Sequence, residues 1–578
     1  MDAVLIMVLS FAGYVFMYHL YGKYIANKIF KVNDNVKVPA VKFEDGVDFV
    51  PTKKEVIFGH HFASIAGTGP IVGPAIAVIW GWMPALIWVF VGSIVMGAAH
   101  DFGSLILSMR NEGKSLSEFA AKYISTRTKY FLFFIIFLEL WIIVAIFGLV
   151  IAVLFKMFPQ SVIPVWLEIP IAIYLGYLVY KKGANLLVWS IIAVIVMYLT
   201  VVWGAYMPLK MPSVMGLSPV AVWSIILLIY AYIASVLPVT VLLQPRDYIN
   251  SHELIIALVL LVLGVLVAGF GGDLHVVAPA VRPHPPQSPP MWPFLFITIA
   301  CGAISGFHAL VSSGTSSKQV RRESDSLFVG YGSMLMEGAL ATLVIIATTA
   351  GIGMGYMKDG QLLTGVKAWT EHYASWAAAG GLSSKVSAFV EGSANMIQTL
   401  GIPKVVAITI MGVFVASFAG TTMDTATRIQ RYLITETFPK TFSNKYVATG
   451  FVILMALLLI FSSGADGKGA LALWPLFGAT NQTLAALTLF VISVYLKGRS
   501  KWGWLISLIP GIFMFVVSLW AAVLNQIKFG AKHNMLLQVL NLIIIISMIW
   551  VVVEGMIIFF KTKYSPTLLD KELQEASQ

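Results

Sequence analysis

The sequence predicts an all-α, polytopic membrane protein. Of its 578 residues, 58% are hydrophobic and only 11% are charged, whereas a soluble domain carries about 25% charged residues. The apolar residues fall into runs of about 20 residues, the length that crosses a bilayer as a helix. This composition excludes a soluble enzyme, a disordered chain and a fibrous repeat.

Apolar runs bounded by charged residues, glycine or proline predict about fifteen transmembrane helices, numbered here as spans 1 to 15. The N-terminal run has no basic segment before it and no small-residue cleavage site after it, so we expect span 1 to be retained rather than removed as a signal peptide. In chain order the spans lie near 3–22, 62–81, 84–108, 130–155, 164–180, 186–207, 220–243, 253–272, 292–313, 326–352, 403–426, 446–463, 472–496, 503–524 and 537–560.

The basic residues predict how these spans are oriented. When the loops are assigned alternately to the two sides of the membrane, 28 of the 38 Lys and Arg residues lie on one side and 10 on the other. The side with more basic residues is normally cytoplasmic, so we expect the N-terminus outside and the C-terminus inside. The net charge of +11 then reflects cytoplasmic loops and not a nucleic acid partner. The single cysteine, Cys301, excludes an intrachain disulfide.

Span 2 carries an unusual set of helix breakers in the segment SIAGTGPIVGP, which begins at Ser64. Proline removes a helix donor and glycine loosens the helix. Freed backbone groups at membrane depth are tolerated only beside protein or a polar cavity, so we expect an interruption here, with a proline kink as the alternative. Ser64, Gly67, Thr68, Gly69 and Pro70 are the expected binding segment for a substrate carboxylate.

Span 7 carries a second candidate break, around Ser235 and Pro238. Spans 2 and 7 are five helices apart and would cross the membrane in opposite directions. Paired interrupted helices of this kind point to a transporter site near the midplane, completed here by the second break. The predicted parts are a peripheral helix with a basic loop (1–61), a transport core (62–426) with inverted repeats 62–207 and 220–426 and an extracellular loop (353–402), and peripheral helices with a tail (427–578).

Ionisable residues at membrane depth are costly and point to function. A buried carboxyl or imidazole can exchange protons near neutral pH, which suits a proton-coupling role. The alternative for each is a structural hydrogen bond, and for Asp101 an ion pair with Arg110. The candidates for proton coupling are Glu139 in span 4, Glu337 in span 10, His308 in span 9, and His100 and Asp101 late in span 3.

Two further groups of polar residues lie at or beside the ends of spans. Ser312, Ser313 and Thr315 form a possible cation site, and residues 421–425 hold a second hydroxyl cluster, with helix packing as the alternative. Adjacent histidines point to different helix faces and are a poor metal chelate, so neither a metal nor a cofactor is predicted. The candidate gate residues are His60, His61, Arg246, Asp247 and Asp424.

Five segments resemble the carbon starvation protein A family. They are EVIFGHHFASIAGTGPIVGPAIA, LLQPRDYIN, SSGTSSKQ, SFAGTTMDTATRIQRY and LFGATNQ, and they extend from residue 55 to residue 482 in the family's order. The resemblance implies an inner-membrane transporter of the amino acid/polyamine/organocation (LeuT-like) superfamily, associated with uptake of peptides and of pyruvate.

The resemblance also implies positions for the core helices. In the LeuT-like fold the first and sixth core helices are broken and run in opposite directions, which would correspond to spans 2 and 7. Span 9 would then take the place of the eighth core helix. Its Ser312, Ser313 and Thr315 would correspond to a cation site of sodium-coupled relatives.

These observations together predict a secondary active transporter that works by alternating access. The expected substrates are small carboxylates such as pyruvate, or short peptides. The protein would carry them across the lipid bilayer together with protons, and sodium is the alternative coupling ion. A dedicated di- or tripeptide transporter is the main rival; span 2 contains no acid for a peptide amine, which favours a monocarboxylate. An intramembrane enzyme and a channel are less well supported, because no nucleophile–base spacing and no repeated pore loop is recognisable.

Overall fold

The computed structural model describes residues 2–358, 360–569 and 572–573. Among the described residues, thirteen helices are long and apolar enough to cross a membrane, and one bent pair makes a fourteenth. Two short antiparallel strands, Tyr356–Lys358 and Gln361–Leu363, form a hairpin. The predicted all-α polytopic fold is confirmed.

Thirteen predicted spans are single helical stretches. Their apolar surfaces are exposed where they would face lipid and buried where spans pack together. Spans 1 and 3 to 8 are Asp2–Ile29, Trp82–Met109, Thr126–Met157, Pro159–Lys181, Leu186–Tyr206, Pro219–Val236 and Leu243–Gly271. Spans 10 to 15 are Leu327–Met354, Lys404–Thr437, Lys445–Ser463, Gly469–Arg499, Leu505–Ala531 and Met535–Lys561. Shorter helices outside the spans are Pro39–Lys42, Leu116–Tyr123, Gly365–His372, Trp376–Ala379 and Leu382–Gln398.

Span 2 is interrupted where the glycines and prolines predict. It consists of Lys54–Ala66 and Gly69–Trp80, which are bent by 43°. Gly67 ends the first helix with φ +43°, a conformation that L side chains rarely adopt. Pro70 lies in the first turn of the second helix, where a missing N–H costs no hydrogen bond. The backbone conformation at the break therefore follows directly from the glycine and proline residues of the local sequence.

The predicted break in span 7 is wrong. The helix Pro219–Val236 simply ends, because Leu237 precedes Pro238 and takes an extended conformation with ψ 150°. Residues 237–242 connect it to span 8, which begins at Leu243. The segment around Arg246, which the sequence placed in a loop, forms the first turns of span 8.

The second interrupted helix is span 9. It consists of Met291–Thr298 and Gly306–Gly314, joined by a non-helical segment at 299–305. This segment contains no proline, and Gly302 supplies the positive φ (+92°) at its centre. The N-terminus of the second helix is held by Asn481 of span 13, whose Oδ1 accepts a hydrogen bond from the Phe307 N–H at 2.9 Å. A side chain distant in sequence therefore stabilises this break.

The two breaks pack directly against each other. A Cβ added at Gly69 would lie 2.4 Å from the Cys301 Cβ, and one at Gly73 would lie 2.6 Å from the Thr298 carbonyl oxygen. A Cβ at Gly302 would lie 3.5 Å from the Cα of Pro70. The glycines thus permit the helix Gly69–Ala77 to pack closely against the interrupted part of span 9.

Candidate functional site

The break in span 2 is contacted by the hydroxyls of span 11. The Ser64 and Thr425 hydroxyl oxygens are 3.0 Å apart, and the Thr422 hydroxyl donates to the Ser64 carbonyl oxygen at 3.0 Å. A Cβ at Gly67 would lie 2.8 Å from the same Thr422 hydroxyl oxygen. Span 11 therefore satisfies the carbonyl that the break leaves free.

A cavity of about 230 Å³ opens between the two breaks. Thr68 and Gly69 line it from span 2, and Cys301 lines it from span 9. The wall also includes aromatic side chains and three polar ones that the sequence did not suggest. These further residues are Phe147, Trp376, Trp474, Lys385, Asn525 and Lys528.

Ser235 and Pro238 are not part of this cavity's lining. Arg428 of span 11 donates to the carbonyl oxygens of Ala234 and Leu237, which flank Ser235. Arg428 lies one turn beyond Thr425, which contacts the break of span 2. The helix of span 7 therefore ends beside Arg428 and not at this cavity, and a role of Ser235 and Pro238 in the substrate site stays a prediction.

Four of the five predicted proton-coupling residues form one buried cluster. Asp101 binds two histidines: its Oδ1 lies 2.7 Å from His100 Nδ1, and its Oδ2 lies 2.8 Å from His308 Nδ1. The other ring nitrogen of His308, Nε2, lies 3.2 Å from a Glu337 carboxylate oxygen. All four side chains have 0% exposure. Asp101 does not pair with Arg110, which instead binds Glu323.

This cluster adjoins the break of span 9. Sγ of Cys301, a ring nitrogen of His308 and a carboxylate oxygen of Glu337 lie within 4.8 Å of one another. They are close enough to share protons or to surround one metal ion. His308 thus connects Asp101 on one side with the cavity-lining Cys301 and Glu337 on the other.

Glu139 is separate from the cluster. It is fully buried in span 4, and neither carboxylate oxygen has a hydrogen-bond partner among the described residues. Burying a carboxyl group without a hydrogen-bond partner is costly. The structure therefore divides the predicted proton carriers into a connected group and one isolated acid.

The hydroxyls of Ser313 and Thr315 donate hydrogen bonds to carbonyl oxygens one turn earlier in their own span. Ser313 donates to the Ala309 carbonyl at 2.7 Å and Thr315 to the Val311 carbonyl at 3.2 Å, while Ser312 has no partner in the part of the chain that the structure describes. The hydroxyls that meet the break of span 2 come from span 11. The correspondence of span 9 with an eighth core helix is therefore wrong, because span 9 is itself interrupted.

The predicted gate histidines bind other helices. Nδ1 of His60 lies 2.5 Å from the Asp247 carboxylate, and Nδ1 of His61 lies 2.7 Å from the Ser316 hydroxyl. All four residues are buried. These contacts tie the first half of span 2 to span 8 and to the end of span 9.

Arg246 joins four spans. Its Nε donates to Glu168 at 2.9 Å, one terminal nitrogen donates to Thr421 at 2.8 Å, and the other contacts Asp424 and Tyr230. It does not pair with Asp247. Glu168 was overlooked although the run VWLEIPI showed an acid within span 5, which is the signal that identified the other intramembrane acids.

The chain is similar to known proteins over most of its length. The profile of the family described as carbon starvation protein CstA matches residues 2–521. The peptide transporter CstA of Campylobacter jejuni is 31% identical, over 90% of this chain and 80% of its own. The peptide transporter CstA of Bacillus subtilis is 32% identical, over 89% of each chain. The pyruvate/proton symporter BtsT of Escherichia coli is 30% identical, over 90% of this chain and 81% of its own.

Two solved structures are also similar. A mutant of the Eremococcus coleocola manganese transporter aligns with 90% of this chain and 99% of its own, with 12% identity and a TM-score of 0.49. MhsT in complex with L-phenylalanine aligns with 82% of this chain and 99% of its own, with 14% identity and a TM-score of 0.46. The match of the family profile and the length of the alignments to the curated relatives decide the classification: the chain is a multi-pass membrane protein and belongs to the carbon starvation protein CstA family.

Proposed function

We propose that this protein is a secondary active transporter of the inner membrane that takes up small carboxylates such as pyruvate together with protons. The observation that carries the proposal is the contact of two interrupted helices with a buried acid–histidine cluster attached to one of them. Interrupted helices that meet in a membrane are characteristic of substrate sites in secondary transporters. The names of the relatives, peptide transporter and pyruvate/proton symporter, support transport of peptides or of pyruvate.

The substrate carboxylate would bind at the start of the helix Gly69–Ala77. The N–H groups of a helix N-terminus attract negative charge, and Thr68 and Gly69 line the cavity at this point. Ser64, Gly67 and Pro70 would shape the break without contacting the cavity. The site thus recognises an anion chiefly through backbone groups.

The buried cluster would carry the coupling proton. Asp101 accepts hydrogen bonds from both histidines and is held as a carboxylate by them, so we assign the exchangeable proton to the His308–Glu337 pair. His100 and Asp101 position His308. Cys301 places this pair next to the cavity, so loading of the proton and of the substrate can influence each other.

The ion pairs of His60 and Arg246 would form the inner gate. They join the first half of span 2 and the start of span 8 to spans 5 and 11, and both involve fully buried groups. Opening to the cytoplasm would require these contacts to separate. Sodium is the alternative coupling ion, and the oxygens of Ser64, Thr422 and Thr425 are its best candidate ligands.

A dedicated di- or tripeptide transporter is the second candidate. The curated relatives named peptide transporters favour it. In the described part of the chain, the cavity lining contains two lysines and no Asp or Glu, so a peptide carboxylate would find partners and its amine would not. We therefore rank a monocarboxylate first.

An intramembrane enzyme would use Cys301, His308 and Asp101 as nucleophile, base and orienting acid. We assign these groups to proton transfer, since Glu337 contacts the same histidine nitrogen that a nucleophile would need. Cys301→Ser should keep uptake if this assignment is correct.

The test is uptake by purified protein in proteoliposomes. Labelled pyruvate and a labelled dipeptide are followed separately under an imposed pH gradient and an imposed sodium gradient. Pyruvate accumulation driven by the pH gradient supports the proposal. Accumulation of the dipeptide alone supports the second candidate, and uptake indifferent to both gradients overturns coupled transport.

A further inference from the structure

Part of the cavity is walled by segments of the chain outside the interrupted helices. Lys385 lies on the helix Leu382–Gln398, in the segment between spans 10 and 11. Asn525 and Lys528 lie near the end of span 14. This wall is not needed for the proton cluster or for the inner gate.

Lys385 is buried without a counter-ion. Only 6% of the residue is exposed, and no hydrogen bond or ion pair to its ammonium is found among the described residues. Its Nζ lies 5.1 Å from the centre of the Trp474 ring, a cation–π contact that offsets part of the lost hydration. An unpaired buried ammonium is costly, so this position is poorly explained by stability alone.

Asn525 adds a second unused donor. It is 4% exposed, and its amide Nδ2 has no hydrogen-bond partner in the described part of the chain. Buried amide groups are normally hydrogen-bonded. Lys528, which is exposed, contributes a further positive charge to the same wall.

Among the residues that the structure describes, the wall therefore offers positively charged and N–H donor groups and no carboxylate. The ionisable groups of this wall are Lys385 and Lys528, and Cys301, in the break of span 9, also lines the cavity. Two cations and an amide donor that converge on one cavity match a small anion, and a planar carboxylate accepts hydrogen bonds from both kinds of donor. The volume of about 230 Å³ leaves room for a molecule of a few carbon atoms with water.

We infer that Lys385, Asn525 and Lys528 form an outer carboxylate-binding site, at which a small monocarboxylate is held before it reaches the break of span 2. This inference rests on the proposed function, and it adds a capture step that none of the interrupted-helix residues provides. The ammonium of Lys385 binds the carboxylate directly, Asn525 donates a hydrogen bond to it, and Lys528 attracts it from water.

The test combines equilibrium binding of labelled pyruvate to the purified full-length protein with uptake kinetics in proteoliposomes. Lys385→Gln should raise Kd and KM by about tenfold, the effect expected for a charge-assisted hydrogen bond, and leave kcat nearly unchanged. Asn525→Leu should raise both by a smaller factor, and Lys385→Arg should recover part of the loss. Lys367→Gln, an exposed lysine of the same extramembrane segment, is the matched control and should change neither constant.

A lysine with only a structural role would give a different pattern of thermal midpoint, Kd and KM. If Lys385 serves binding, Lys385→Gln removes an unpaired buried charge, so the thermal midpoint without substrate should stay the same or rise. A lowered midpoint with unchanged Kd and KM overturns the inference. Uptake of pyruvate that is indifferent to Lys385 overturns the outer site and leaves the proposed function standing. Lys385-dependent binding of pyruvate without its transport overturns the proposed substrate and leaves the site standing.

Discussion

Replacing Glu337 with glutamine should separate proton coupling from substrate binding. The Glu337 carboxylate lies 3.2 Å from His308 Nε2 and is fully buried. Glutamine has nearly the same shape but cannot carry the proton. We expect Glu337→Gln to fold, to bind substrate and to exchange it, but to lose accumulation driven by a pH gradient.

The expected accumulation ratio of the substrate is calculated for one carboxyl group that carries one proton. A difference of one pH unit stores about 1.4 kcal/mol for each mole of protons, which corresponds to a tenfold concentration ratio. With one proton for each substrate molecule, an imposed difference of two pH units drives about a hundredfold accumulation by the wild-type protein. In Glu337→Gln the ratio should fall to about one, because no free energy is transferred.

The assay compares net accumulation with counterflow in the same proteoliposomes. Counterflow exchanges labelled substrate for unlabelled substrate and needs no net proton movement, so Glu337→Gln should retain it. Glu139→Gln is the matched control: Glu139 is equally buried but does not join the cluster, and its variant should still accumulate substrate. Accumulation that survives in Glu337→Gln but is lost in Glu139→Gln would refute the assignment.

Three further outcomes test the breaks, the gate and the cavity. Gly73→Ala places a methyl 2.6 Å from a backbone oxygen of the opposing break and should abolish uptake, whereas Gly148→Ala, with 3.6 Å to its nearest neighbour, should not. Arg246→Gln leaves two buried carboxylates unpaired, a cost of about 3–5 kcal/mol, and should lower the thermal midpoint in detergent. Burial lowers the pKa of Lys385 to about 8, so its charged form is lost as the pH rises through that value. Wild-type pyruvate affinity should then fall roughly tenfold between pH 7 and 9, and a Lys385→Gln protein, which keeps Lys528 and Cys301 in the cavity lining, should show little of this loss.

The sequence predicted features that depend on local chemistry. Apolar runs marked the spans because only helices of about 20 apolar residues satisfy their own backbone in lipid. The break at Gly67 was predictable because glycine and proline change the backbone conformation at their own positions. His308 and Glu337 stood out because an ionisable group in an apolar run is costly wherever the chain folds.

Features that depend on distant partners were not predictable. The break at 299–305 has no proline and is stabilised by Asn481, about 180 residues further along the chain. Arg246 was predicted as a gate residue between spans 7 and 8, and only the fold brings Glu168 and Asp424 to it. Lys385 lies in a polar loop of the sequence, where a lysine is ordinary, and only the fold buries it and brings it against Trp474 of span 13.

The corrected position of the second break also changes the division of the core. Span 2 packs against span 9 at the breaks. The next helices along the chain, spans 3 and 10, are also in contact. The Tyr331 hydroxyl at the start of span 10 donates to the Ile94 carbonyl of span 3 at 3.2 Å. The third helices, spans 4 and 11, are also in contact, since a Cβ at Gly148 would lie 3.6 Å from the Met423 sulfur.

Three successive pairs of helices, each at the same place in its half, are what a twofold relation between two halves produces. We therefore infer that the second repeat begins with span 9 and not with span 7. It would end with span 13, whose Asn481 holds the second break. The first half then contains seven spans and the second five, so two helices among spans 5 to 8 are additional. Glu168 of span 5 and Tyr230 of span 7 both contact Arg246, which places the additional helices against the inner gate. An insertion at that position would change how the gate opens without altering the paired breaks that would bind the substrate.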